Sequence, residues 1–193
     1  VQPPEYNLAL AQAILEQLEP FLQAADAFWP LSARPPGSGI PFPRLSLGAL
    51  LLTLDELRAT EPALDPAGRS ATQAVEADFD RISQKWTVAV ERKALSESSQ
   101  RISIWRAYLD DLRDQRADPA DYPQEVRQRV ALSRLLELAR LSPDSRQTTE
   151  AVEHLDEFLR SLLVPSGFVW DERMKSVYPE EDFWFLYGGI GTR

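Results

Sequence analysis

The stretch DPAGRSATQAVEADFDRISQKWTVAVERKALSESSQRISIWRAYLDDLRDQRAD, Asp65 to Asp118, decides how the chain folds. Asp65 followed by Pro66 is a helix start: an acid to cap free amides, then a proline whose missing N–H costs nothing in the first turn. No further proline occurs until Pro119. Apolar residues fall in steps of three and four at Val75, Phe79, Ile82, Trp86 and Ala89 or Val90, and again at Leu95, Ile102, Trp105, Leu109 and Leu112. Each set lines one face of a helix, but the two sets are out of register. The polar run Ser96–Gln100 lies between them and marks the expected join. With no Gly or Pro there, the spacing predicts one very long, bent helix rather than two. At about 1.5 Å per residue such a helix outruns a compact domain, so its free end needs a cover.

Outward from this element the same pattern recurs. Pro3 and Pro4 open a helix with apolar positions from Ala11 to Trp29, and Pro20 within it is expected to kink or divide it. Ser32–Pro43 is a proline- and glycine-rich connection, with Ile40 and Phe42 placed to pack; a proline-rich ligand for an aromatic groove is its weaker reading. A leucine-rich helix follows over Arg44–Thr60, begun at Ser46 or Arg44. Asp121 and Pro123 start another, and Val126, Val130, Leu135, Leu136 and Ala139 form its stripe. Ala151 to Leu163 form the last helix, ended by Pro165 and Gly167. From Phe168 the helical period is lost, with short strands or turns expected at 168–170 and 183–187. The expected fold is all-α: five or six helices over 1–167, with an irregular aromatic segment over 168–193 packing on them or on a partner.

Composition narrows the functions. The formal net charge is −9 and the pI about 4.7, which disfavours nucleic acid and anionic membrane as partners. The longest apolar run, Leu45–Leu54, is half the ~20 residues that cross a bilayer, so no membrane span is expected. No cysteine is present, which removes thiolate metal sites, Fe–S clusters and cysteine nucleophiles. Arginine outnumbers lysine, and Asn7 is the only asparagine; this is the composition of a GC-rich bacterial genome, and no basic leader is visible, so a cytoplasmic location is expected.

Chemistry-bearing patterns are sparse. His154 is the only histidine, among Glu150, Glu153, Asp156 and Glu157, and a bundle di-metal site would need a second. A solvated helix face explains it better. No nucleophile elbow or phosphate-binding glycine loop occurs, so no catalytic residue, cofactor or metal is assigned. Arg101, Arg106 and Arg127 are a weak candidate for an anion site, with acids nearby to neutralise them.

Aromatic residues stand out instead. Residues 168–193 hold seven of the chain's eighteen aromatics, among them Trp170, Phe183, Trp184, Phe185 and Tyr187. A strand cannot bury Phe183, Trp184 and Phe185 on one face, so the segment must be wrapped on more than one side. Together with Trp86 and Trp105 these form the candidate interaction or ligand surface. The leading expectation is a non-enzymatic helical interaction protein, an adaptor, scaffold or assembly subunit, with a protein partner or a second copy of itself. The alternative is a bundle that binds a small apolar or aromatic ligand as a sensor or carrier; an enzyme using carboxylates and arginines is the least supported class.

Overall fold

A computed structural model describes residues 2–35 and 41–191 of the chain. The fold is all-α, with six helices of 12 to 27 residues among the described residues: α1 (Pro4–Gln23), α2 (Leu47–Thr60), α3 (Pro66–Lys85), α4 (Thr87–Arg113), α6 (Arg127–Leu138) and α7 (Ser145–Leu162). A single turn, α5 (Tyr122–Glu125), precedes α6. One small antiparallel ribbon pairs β1 (Leu163–Pro165) with β2 (Gly188–Ile190). Among the described residues no helix is long and apolar enough to cross a membrane.

The chain divides into two compact units, residues 1–97 and 98–193, and α4 supplies the last segment of the first and the first segment of the second. Residues 168–191 lie within the second unit.

Helix ends follow local chemistry. The Ser46 hydroxyl accepts the Ala49 amide at 3.1 Å, and the Asp65 carboxylate accepts the Gly68 amide at 2.7 Å, each satisfying a donor that helix geometry leaves free. At the later start it is Asp118, not Asp121, whose side chain caps, accepting the Ala120 amide at 2.9 Å. Pro20 does not divide α1. It sits in the last turn, and the helix ends three residues later at Gln23. Trp29 then pairs with Leu45 through two backbone hydrogen bonds of 2.9 and 2.7 Å, closing the proline-rich connection at its base. Phe42 is buried, edge-on to Tyr6 at 5.4 Å, while Ile40 lies outside the described residues.

The long stretch is interrupted at Trp86, ten residues before the expected join, and Ser96–Gln100 are unbroken helix in the middle of α4. Trp86 has φ −118° and ψ 31°, yet its amide still bonds Ile82 O and its carbonyl still accepts from Val90, both at 2.9 Å. The Thr87 hydroxyl back-bonds to the Ser83 and Gln84 carbonyls at 3.1 Å, the kind of insertion that bends a helix. The register change read at Ser96–Gln100 comes from polar residues that are in fact buried. Lys93, Glu97, Ser98 and Arg101 continue the inward stripe from Val90 and Ala94 to Ile102 and Trp105.

Two of those polar residues organise the first unit. Lys93 Nζ donates to the carbonyls of Ala24 and Asp26 at 2.6 and 2.8 Å, just past the C-terminus of α1, and lies 4.3 Å from the Phe21 ring centroid. Both oxygens of Glu97 accept the Gly48 amide in the first turn of α2, at 3.1 and 3.2 Å. A cation thus meets a helix C-terminus and an anion meets a helix N-terminus, each sign matching the macrodipole. Burial lowers the Lys93 pKa, while the two carbonyls and the ring hold the ammonium. Replacing Glu97 by Ala strands the Gly48 amide and is expected to cost about 1–3 kcal/mol, read as a fall in the denaturant midpoint.

Candidate interaction site in the second unit

Residues 168–191 wrap the α6–α7 pair as an irregular segment. Two short 3₁₀ turns, Glu172–Ser176 and Trp184–Leu186, shape it, and the segment closes by β2 pairing with β1 in the register Leu163↔Ile190, Val164↔Gly189 and Pro165↔Gly188. Of the strand or turn expected at each of 168–170 and 183–187, the turn forms: 169–170 are a bend and Trp184–Leu186 a 3₁₀ turn, and the strands lie at 163–165 and 188–190. Gly188 is required by packing, since a Cβ there would lie 2.2 Å from Leu163 Cδ2. Pro165 has no amide to present, which blunts β1 as an edge.

Aromatic rings step along the segment in contact. Trp170 meets Tyr178 at 5.5 Å, Tyr178 meets Phe183 at 4.8 Å, Phe183 meets Phe185 at 5.9 Å, and Phe168 meets Tyr187 at 5.0 Å. Mostly edge-on, these pairs place the positive rim of one ring against the negative face of the next. The helices meet the rings with cations. Arg129 lies 4.5 Å from the Phe185 centroid, Arg134 5.0 Å from Phe183, Arg160 4.3 Å from Trp184 and Arg127 5.7 Å from Trp170.

Arg129 is the centre of this arrangement. Its guanidinium makes two buried 2.7 Å bonds to the Asp156 carboxylate and a third, part-buried, of 2.6 Å to the Ser133 hydroxyl. Hydrogen bonds to backbone carbonyls fix the segment further. Tyr122 donates to Phe185 O at 2.6 Å, Tyr187 to Tyr178 O at 2.8 Å, and the Trp170 indole to Pro123 O at 2.6 Å. Burial is the main cause that raises the Tyr122 pKa, so the phenol stays a donor past its ordinary range. A raised folded pKa gives stability that is full below the ordinary value of 10.0 and is lost as pH rises above it. Alkaline titration past that value is expected to loosen the segment, seen as a shift in tryptophan emission, and Tyr122→Phe should blunt the pH dependence.

The candidate residues separate into two groups. Trp105, Phe183 and Phe185 are buried and offer no surface. Trp170, Trp184 and Tyr187 are half-buried, with one side against the unit and one toward solvent, while Glu180, Glu181 and Asp182 are exposed. Trp86 belongs to the first unit, where it lines an open hollow with Lys85, Val88 and Arg92. The weaker candidates do not assemble. Arg101 is buried and donates to Gln128 at 2.6 Å, Arg106 is exposed, and Arg127 lies over Trp170. His154 has an 82% exposed side chain, 3.7 Å from Glu157. Among the described residues no group of three or more His, Asp or Glu could hold a metal ion. Sequence reasoning missed Arg129, Arg134, Arg160 and Tyr122. The available signal was the arginine-rich α6 in a chain with an unclaimed aromatic segment.

The chain matches no family model, no curated protein and no solved structure.

Proposed function

We propose that this is a helical protein that works by association, as an adaptor, scaffold or assembly subunit, and that the outer side of its aromatic segment is the contact surface. One observation carries the reading. Trp184 under Arg160 and Trp170 under Arg127 are half-exposed rings, each set against a buried one, Phe185 and Tyr178. Tryptophan and arginine dominate protein interfaces because each contributes a large contact area with a polar or charged group, and a pre-ordered base lowers the entropy cost of docking. The partner is a protein, either a second copy or another chain.

The test is a Trp170→Glu/Trp184→Glu double variant, compared with the unsubstituted protein by sedimentation and by stoichiometric co-purification from the cells that naturally produce it. Association present in the parent and lost in the variant, with a similar melting temperature, supports the reading. A parent that stays monomeric at high concentration and brings down no stoichiometric partner overturns it.

A further inference from the structure

We infer that residues 168–191 are an exchangeable clip, able to close on the α6–α7 pair of a second copy of this chain as they close on their own. This goes beyond the association reading, because it uses the inner contacts of the segment rather than its outer side, and its partner is a second copy. The hinge, cover and receptor are all identifiable. The link from β1 into the clip, Ser166–Gly167, is exposed, and a Cβ built at Gly167 would meet nothing within 4 Å, so the glycine lies in open space with no packing to hold it. Beyond it the clip is held together by its own ring contacts from Trp170 to Phe185 and by the Tyr187–Tyr178 O bond, so it can move as one body.

Its receptor is specific and lies entirely before the hinge. Arg129 and Arg134 face Phe185 and Phe183, Tyr122 donates to Phe185 O, Pro123 O accepts the Trp170 indole, and β1 receives β2. Each of these contacts can form between two chains with the same geometry. Exchange therefore changes only the hinge conformation and the entropy of association, which is why swapped elements are a low-cost route to dimers. Two-fold symmetry follows, each copy giving a clip and receiving one.

The absence of cysteine makes the test clean. One batch of full-length chain carries Leu163→Cys and another carries Ile190→Cys, positions paired across β1 and β2. The two are unfolded, mixed, refolded together and oxidised, and the cross-links are mapped by mass spectrometry. Exchange gives a disulfide between position 163 of one chain and position 190 of the other. Sedimentation of the unsubstituted protein, refolded over about a hundredfold concentration range, gives a dimer fraction that rises with concentration. The two readings have separate readouts: the 163–190 cross-link between chains reports exchange with both tryptophans in place, whereas partner capture that survives in the Trp170→Glu/Trp184→Glu variant sinks the outer-face reading alone. An unsubstituted protein that refolds only to monomer at every concentration, or dimers with no 163–190 cross-link, overturns the exchange.

Discussion

Ending the chain after Glu181 is expected to unfold the second unit. The truncation removes Phe183, Phe185 and Leu186, all buried, together with β2 and the carbonyl that accepts the Tyr122 hydroxyl. Removing one buried phenylalanine costs about 3–5 kcal/mol. Two such losses with Leu186 added approach or exceed the ~5–15 kcal/mol that holds a whole domain folded. Arg129 and Arg134 would also lose the rings they lie against. The expected readout is loss of cooperative melting and of amide protection in α6 and α7, with α1–α3 kept protected to the degree that the first unit stands alone. A truncated chain with unchanged protection in α6 and α7 would show that the segment is not part of the unit's core.

Arg129→Ala is the largest expected single-residue effect. Asp156 would be left buried without its bidentate partner, and breaking a buried pair from one side costs about 3–5 kcal/mol. Arg129→Met with Asp156→Leu removes both charges and should recover most of that loss, since the cost lies in the stranded charge rather than in the absent pair. Arg146→Ala is the control. Its bridge to Glu150 is exposed and should be worth about 0–0.5 kcal/mol. Chemical denaturation of the three variants decides the matter, and a single-variant cost no larger than the control would remove Arg129 from the centre of the unit.

Particular residues show why part of this structure was readable in advance. Ser46, Asp65 and Pro66 mark helix starts because capping depends only on neighbours within one turn. The leucines of α2 announce burial on most of its circumference, and the structure buries eleven of its residues. The break at Trp86 was harder to place. Lys93, Glu97 and Arg101 look like a gap in an apolar stripe, and only carbonyls, an amide and a glutamine brought from distant parts of the chain offset their burial. The aromatic segment is similar. Its need for cover on several sides is visible in Phe183-Trp184-Phe185, but the cover comes from arginines on α6 and α7 that read as solvated charges.

What the amino-acid sequence determined by itself was the all-α class, most helix limits, the lack of thiol chemistry and the demand of one aromatic segment for a multi-sided site. These follow from local periodicity, capping and composition. Tertiary structure alone decided where Lys93 and Glu97 are paired, which rings are buried and which stay half-exposed, and that Arg129 and Asp156 meet across 27 positions. The reason is physical: a buried charge or ring is stable only through partners whose sequence separation carries no local signal.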